Sequence, residues 1–387
     1  MQDYKNLFFN QSKLLIWISI LLLVVKVLIS YEPVFDSLQY MELGTNFIHN
    51  AKYHLDGFPN RFSPTVPFWF GLVSIKDNLS LSLILVGFVS IFHFLLTICV
   101  VYKTFKMLGI DSRKIVLVLL LFVTNTHVFI CTGMLYPESF LGLYFWLFMY
   151  YIVKPEKNKE DWFLLGLTYS ILCISKLVFL PLILVILVYL IIYKSNISKF
   201  LAVSSFCFGS LLLAFYVKYY CSVLLPDVSK LFDFDYGSTI FDGDFKETLM
   251  KGLGFLPFKP GLRVDGIPSF INVLIPKTGL RSWWMSILVI SLPVLPLIWQ
   301  KRQSDWKNLK LLIAVLLVVL ISFVSAGTGF PRYWIPVFPI VFLLFVNSSI
   351  FVVDKMKIQS KWRNLIVYAV IYAHLLNNLR ILILDVI

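Results

Sequence analysis

The sequence predicts an all-α polytopic membrane protein with about eleven transmembrane helices. Hydrophobic residues make up 59% of the 387 residues and charged residues only 14%, and the mean hydropathy is +0.84. A soluble protein of this length needs more polar surface than that. Residues 1–387 are therefore interpreted as one integral membrane domain. Its apolar runs fall at 14–31, 80–102, 115–131, 139–153, 162–175, 177–193, 199–225, 283–300, 309–327, 333–353 and 364–384.

Basic residues predict the orientation of the chain. If the spans alternate, Lys5, Lys13 and the basic clusters of five short connections fall on one side, which positive charge marks as cytoplasmic. The N-terminus then lies inside and Ile387 outside. The same distribution explains the net charge of +13 by topology and anionic lipid headgroups, so no nucleic acid is expected as a partner. The many Phe, Ile, Lys and Asn residues are typical of an AT-rich bacterial genome and favour a bacterial inner membrane.

Two outer segments, 31–79 and 226–282, are long, and the other connections are short. Long outer connections on a tight bundle are the usual place for substrate handling, so any chemistry is expected outside the cytoplasm. The chain has no P-loop or Rossmann glycine motif. Because nucleotide-activated sugars are absent outside the inner membrane, this favours a lipid-linked donor for any sugar transfer. The acidic pairs of the second segment, Asp233/Asp235 and Asp242/Asp244, are interpreted as solvated.

The first outer segment opens with Asp36, Tyr40 and Glu42. Its stretch DSLQYMELGTNFIHN predicts an amphipathic helix that lies flat at the interface and holds its polar side over the bundle. The apolar face assigned to this helix consists of Leu38, Met41, Phe47 and Ile48. Arg61, Pro64 and Pro67 follow, and the two prolines are expected to stop this helix from running into the next span.

His49 and His54 lie near Asp36 and Glu42, and a divalent cation there is one hypothesis. Their spacing matches no familiar ligand motif, so solvated histidines are the simpler interpretation and no cofactor is assigned. The five cysteines lie within or beside predicted spans without ligand spacing, which indicates packing residues rather than a disulfide framework or a zinc site.

Three later outer turns carry charges. Glu138 follows Pro137 at the start of a predicted helix, where a carboxylate either caps the helix or serves a site. Lys176 lies between two short apolar runs, where a cation either snorkels to the interface or holds a lipid phosphate. Arg332 and Tyr333 open a late span, where they either anchor the span in the headgroups or bind a phosphate. A functional role is favoured for Arg332.

The short motifs of this chain, in their order along the sequence, resemble those of the GT-C superfamily of membrane glycosyltransferases. The resemblance is to the branch of the protein O-mannosyltransferases and the bacterial aminoarabinose-lipid A transferases. Each motif is short, and their order on one membrane face carries the resemblance. It implies a GT-C-like helical fold with interfacial helices in the first outer loop. The matching features are Asp36-x-x-x-Tyr40, Arg61-Phe-Ser-Pro64-x-x-Pro67, Tyr136-Pro137-Glu138, Ser175-Lys176 and Arg332-Tyr333-x-x-Pro336-x-x-Pro339.

The resemblance also implies roles for residues. Asp36 would be the catalytic base, taking a proton from the acceptor while the sugar leaves its polyprenyl phosphate with inversion. Lys176 and Arg332 would hold the leaving phosphate. The remaining candidates are Glu138 as a second catalytic residue and Tyr40, Glu42, Arg61 and Tyr333 as substrate-binding residues. The expected donor is a polyprenyl-phosphate sugar, and the expected acceptor is an envelope glycan, lipid or protein.

The chain departs from the family pattern at one point. The family often has a second acid directly beside the first, whereas here Ser37 follows Asp36 and Glu42 is the nearest substitute. This departure leaves the subfamily open.

Two competing hypotheses remain open. An O-antigen or capsule polymerase would depend on arginines of the second outer segment, Arg263 and Arg281. A lipid or solute transporter or flippase would place charges or broken helices near mid-membrane, with Lys26 and Lys218 as candidates. The concentration of polar groups at the outer surface favours an enzyme.

Overall fold

The structure is a computed structural model of the chain. It describes residues 2–29, 35–50, 64–75, 78–133, 136, 138–192, 198–219, 247, 250, 306–325, 331–356 and 364–386. Of the second outer segment, only Glu247 and Met250 belong to this part of the chain.

The described residues form fourteen α-helices and two 3-10 helices, and include no strand. The α-helices are α1 Gln2–Ile29, α2 Phe35–Asn50, α3 Thr65–Val73, α4 Leu79–Met107, α5 Ser112–Thr124, α6 Thr126–Gly133, α7 Glu138–Val153, α8 Lys159–Ser175, α9 Ile183–Ile192, α10 Lys199–Gly209, α11 Leu211–Tyr219, α12 Trp306–Ser325, α13 Phe338–Lys355 and α14 Leu365–Val386. The 3-10 helices are η1 Leu177–Leu182 and η2 Pro331–Val337.

Several of these helices make the protein a multi-pass membrane protein. Within the described part, four apolar helices are long enough to cross a bilayer: Asn10–Ile29, Leu79–Met107, Arg332–Asp354 and Leu365–Leu384. A fifth span is present if α5 and α6, which meet at a 51° bend, count as one. Four further apolar helices have 10 to 17 residues. The predicted number of about eleven spans stays a prediction.

Two predicted spans are broken in the structure, and a third lies outside the described residues. The run at 115–131 is broken into α5 and α6 at Asn125. The run at 199–225 is divided at Ser210 into α10 and α11. The run at 283–300 lies outside the described residues. Hydropathy averaged over a window cannot detect a bend within an apolar run.

Large aromatic side chains join the elements around α7. Trp146 of α7 is buried and donates from Nε1 to the carbonyl of Pro336 at 2.8 Å, which ties η2 to α7. Tyr169 of α8 donates from its hydroxyl to the carbonyl of Leu180 at 2.8 Å, which ties η1 to α8. A tryptophan or tyrosine buried in this way contributes both a large apolar area and one hydrogen bond.

The turn between α7 and α8 is stabilised by polar contacts. Asn158 and Asp161 form a capping box at the start of α8, and Lys154 binds Asp161 with Nζ to Oδ1 at 2.7 Å. The Lys157 amine donates to the carbonyl of Ile152 at 3.1 Å, which satisfies the end of α7. Burial lowers the pKa of Lys157 to about 7.

The helix predicted after Asp36 is present as α2, and it packs against α3 through two glycines. A Cβ at Gly44 would overlap the Pro67 carbonyl oxygen, and one at Gly71 would overlap the Gly44 carbonyl oxygen. Thr45 donates from Oγ1 to Ser74 Oγ at 3.0 Å beside this contact. Such a close helix crossing requires glycine on both sides.

The apolar face predicted for α2 stays a prediction. Leu38 and Phe47 are 37% and 38% exposed on the protein surface, and Leu43, which was not assigned to this face, is fully buried. The buried side is set by the Gly44 contact with α3 and not by the largest apolar side chains. The interfacial placement of α2 stays a prediction.

Candidate functional site

Glu138 is the centre of the candidate site. It is the first residue of α7, where the unpaired amides and dipole of the helix favour a negative charge. Its side chain is only 1% exposed. A carboxylate buried this deeply needs positive partners.

Lys176 is the first of these partners. Its amide closes α8 by donating to the carbonyl of Leu172 at 3.0 Å, and its extended backbone (φ −159°, ψ 110°) separates α8 from η1. The Nζ atom lies 3.9 Å from Glu138 Oε1 and 3.1 Å from the centre of the Tyr333 ring. Burial lowers the pKa of Lys176 to about 7, and the Glu138 carboxylate opposes this shift.

Arg332, carried by η2, is the second partner. Its Nε lies 3.8 Å from the same Oε1 atom of Glu138. The guanidinium carbon lies 4.1 Å from the centre of the Tyr136 ring and 5.2 Å from that of the Tyr333 ring. An arginine stacked on aromatic rings is held in one orientation. One carboxylate oxygen is thus shared by two cations, each of which also faces a tyrosine.

Two cations and one carboxylate are described at this site, and both Lys176 and Arg332 approach Oε1 of Glu138. Within the described part of the chain, the Lys176 amine donates no hydrogen bond, and Glu138 Oε2 has no hydrogen-bond partner. The two ion pairs, at 3.8 and 3.9 Å, are longer than a hydrogen bond. Such a group suits an anion that accepts hydrogen bonds.

The first outer segment approaches this site through aromatic contacts. The Tyr40 ring on α2 meets Phe70 on α3 at 6.1 Å, and Phe70 meets Phe140 at 5.7 Å. Phe140 lies on α7, two residues after Glu138. Trp69 donates from Nε1 to the Tyr144 hydroxyl at 2.6 Å, again between α3 and α7. The α2–α3 pair is therefore packed on the half of α7 that begins at Glu138.

The structure brings together four residues named from the sequence: Glu138, Lys176, Arg332 and Tyr333. Glu42 is exposed on α2 and forms no ion pair with any described residue. Asp36 lies in the first turn of α2, but its side chain is outside what the structure describes. The candidates Arg61, His54, Arg263 and Arg281 also lie outside the described residues.

The sequence analysis missed a buried polar group that joins α5, α6 and α14. It comprises Thr124, Asn125, Thr126, His374, Asn377 and Asn378, all buried. The signal was present in AHLLNN at 373–378, three polar residues in an otherwise apolar run.

No group of three or more His, Cys, Asp or Glu residues within the described ranges is placed to hold a metal ion. His49 is exposed. Four cysteines are described, Cys99, Cys131, Cys173 and Cys207, and none of these four is in a disulfide bond.

Fold and site define an all-helical, multi-pass membrane protein with a buried carboxylate between two cations where α7 begins and α8 ends. No family model and no curated protein matches the chain. Among solved structures, the chain is similar to the archaeal oligosaccharyltransferase AglB from Archaeoglobus fulgidus, in complex with an inhibitory peptide and a dolichol-phosphate. The identity is 13%, the TM-score is 0.48, and the match covers 97% of this chain and 56% of that one. The chain thus spans little more than half the length of AglB, and a TM-score below 0.5 does not establish a shared activity.

Proposed function

We propose that this protein transfers a sugar from a polyprenyl-phosphate-linked donor to an acceptor in the cell envelope, with inversion. One observation carries the proposal: Lys176 and Arg332 converge on a single buried carboxylate, and the Lys176 amine donates no hydrogen bond within the described part of the chain. A lipid phosphate is an anion that reaches such a site from the bilayer. The donor would bring its phosphate to the two cations and its polyprenyl chain to the apolar helices around them.

The cations would act on the leaving group. When the bond between the sugar's anomeric carbon and the phosphate oxygen breaks, that oxygen gains negative charge. Fixed cations in a poorly hydrated site stabilise this charge more than water does. Glu138 would position Lys176 and Arg332, and the tyrosines would limit their rotation. A carboxylate shared by two cations is a weak base, so Glu138 is proposed to act through them.

Asp36 is proposed as the base. It would take the proton from the acceptor hydroxyl or amine, and the acceptor atom would form the new bond to the anomeric carbon from the face opposite to the phosphate. The packing of α2 and α3 on α7, through Tyr40, Phe70 and Phe140, supports the placement of this helix beside Glu138. Tyr40, Glu42, Arg61 and Tyr333 remain proposed substrate-binding residues. No metal is assigned a step.

The site is proposed to face away from the cytoplasm. The turns that join α4 to α5 and α7 to α8 lie at the ends of these helices remote from Glu138. Basic residues lie in or beside these turns: Lys106, Arg113, Lys154 and Lys159. Positive charge marks the cytoplasmic end of a bundle. This supports an extracytoplasmic site in a bacterial inner membrane.

The first test replaces Asp36 by Asn in the source strain and compares surface glycan at matched membrane expression. The change is nearly isosteric and removes only the proposed base, so glycan should be lost while the protein inserts normally. Asp354→Asn makes the same change at an exposed position near the end of α13 and should have no effect. Wild-type glycan with Asp36→Asn would refute the base and favour the polymerase hypothesis, to be tested at Arg263 and Arg281.

The second test measures binding of polyprenyl phosphate to the purified protein. Lys176→Met and Arg332→Met should each weaken binding by roughly 10- to 150-fold, the value of a hydrogen bond to a charged group. Lys103→Met is the control: it removes an exposed cation near the C-terminal end of α4 and should leave binding unchanged. Equal losses in all three variants would indicate nonspecific charge attraction and would contradict the proposed site.

A transporter or flippase is a second candidate, favoured by the break between α5 and α6 with its buried polar residues. Against it, the described part of that polar group contains no acid or lysine. Transport of a labelled lipid or solute in vesicles, unaffected by Asp36→Asn, would favour this alternative.

A further inference from the structure

The buried polar group between α6 and α14 holds the bend of a membrane-spanning segment. After the bend at Asn125, the first amides of α6 have no partners within a continuous helix. Each nevertheless has an acceptor. The Thr126 amide donates to His374 Nδ1 at 3.2 Å, and the amides of His127 and Val128 donate to Asn125 Oδ1 at 3.0 and 3.3 Å. The first three amides of α6, which follow the 51° bend, are thus hydrogen-bonded within the protein.

Three residues of α14 contribute to this bend, on both of its sides. On the α5 side, Asn378 Nδ2 donates to the Thr124 carbonyl at 2.8 Å. On the α6 side, Asn377 Nδ2 donates to Thr126 Oγ1 at 3.3 Å. The acceptor role of His374 Nδ1 requires its lone pair, so the ring proton lies on Nε2.

Polar residues at these positions are costly. Asn377 and Asn378 are 4% and 1% exposed, and the Oδ1 atom of each has no hydrogen-bond partner within the described part of the chain. A buried amide oxygen without a donor lowers stability. Two leucines would avoid this cost but would leave the bend without its donors. The amide nitrogens are therefore the atoms through which these two side chains stabilise the bend.

From the bend, a chain of contacts leads to the candidate site. α6 ends at Gly133, and the Tyr136 amide donates back to the Cys131 carbonyl at 3.1 Å. The Tyr136 carbonyl accepts from Ser139 Oγ at 3.3 Å, and that hydroxyl also bonds Ser90 Oγ of α4 at 2.7 Å. α6 packs against η2, which carries Arg332. The direction of α6 thus sets where Tyr136 and Glu138 lie.

We propose that His374, Asn377 and Asn378 are positioning residues that fix the bend between α5 and α6 and thereby hold Tyr136 and Glu138 against Lys176 and Arg332. The assignment of a function to that site rests on the proposed function, whereas the fixing of α6 does not. None of the three residues touches the reacting atoms.

Cys131 reports on α6 directly. It is 5% exposed, and a variant with the other four cysteines replaced by alanine leaves it as the sole thiol. His374→Leu and Asn378→Leu each leave a buried backbone group without its partner. The opening of α6, measured as the rate of N-ethylmaleimide labelling, should rise by roughly 5- to 150-fold. His374→Asn keeps an acceptor near the Nδ1 position and should restore slow labelling.

Leu376→Val is the control, because Leu376 is 65% exposed and lies on the same helix. Slow labelling in His374→Leu, or fast labelling in Leu376→Val, would overturn the inference. Polyprenyl phosphate affinity is measured in parallel. It should fall in His374→Leu and recover in His374→Asn, and an unchanged affinity in a variant with fast labelling would also overturn the inference. If the wild type binds no polyprenyl phosphate, the proposed function fails, and the labelling rates still decide whether α14 holds α6.

Discussion

Replacing Gly44 by alanine should reduce the proposed sugar transfer without unfolding the protein. A Cβ at Gly44 would overlap the Pro67 carbonyl oxygen and lie 2.6 Å from the Gly71 amide nitrogen. Since atoms in contact lie about 3.5 Å apart, α2 and α3 must separate by roughly 1 Å. The hydrogen bond from Thr45 to Ser74, now 3.0 Å, would then exceed hydrogen-bond range.

This displacement moves the helix that carries Asp36. A misplacement of about 1 Å in a catalytic group can reduce the rate about 100-fold. The overlap and the lost hydrogen bond should lower the free energy of unfolding by about 1–3 kcal/mol, and the higher helix propensity of alanine offsets about 1 kcal/mol of this. The protein should therefore stay folded while the proposed transfer falls about 100-fold.

The assay is the amount of surface glycan at matched membrane expression, together with thermal unfolding of the purified protein. Gly71→Ala introduces the same overlap from the α3 side and should reproduce the loss. Gly142→Ala is the matched control, because its Cβ would meet only Thr97, at 3.5 and 3.6 Å, which is ordinary contact. If Gly44→Ala transfers sugar as well as Gly142→Ala does, then α2 does not carry the base.

Two further predictions concern charge and stability. Because the pKa of Lys176 lies at about 7 and only the protonated amine attracts an anion, polyprenyl phosphate affinity should fall as the pH rises above that value. Lys176→Arg, which stays protonated, should keep its affinity in the same titration, and parallel curves for the two proteins would contradict the role of Lys176. Asp161→Ala removes the capping box and the partner of Lys154 and should lower the free energy of unfolding by about 2 kcal/mol. Glu160→Ala, next to it but exposed with a 3.8 Å ion pair, should cost less than about 0.5 kcal/mol in the same measurement.

Local signals in the sequence located several elements correctly. The amphipathic stretch that opens with Asp36 predicted the helix α2, and the acidic residue after Pro137 predicted the start of α7. The charged residue between two short apolar runs, Lys176, predicted the break between α8 and η1. Each of these features depends on neighbours within a few residues, so the local sequence contains the information.

Features that depend on distant partners were missed or only partly predicted. The run at 115–131 was interpreted as one span, whereas its bend at Asn125 is held by α14, more than two hundred residues later. The contact between α2 and α3 was not predicted, because Gly44, which permits the close approach of the two helices, has no side chain and adds nothing to an apolar pattern.

A helical, membrane-embedded chain follows from local hydropathy and its period along the backbone. The charges at helix ends could also be recognised locally, because a charge within an apolar run is too costly to retain without a role. By contrast, the position of Glu138 between Lys176 and Arg332, with Tyr136 and Tyr333 beside them, depends on the three-dimensional fold. The distances among these residues arise from the packing of α7, α8 and η2, since the free energy of that packing depends on contacts between side chains far apart in the sequence.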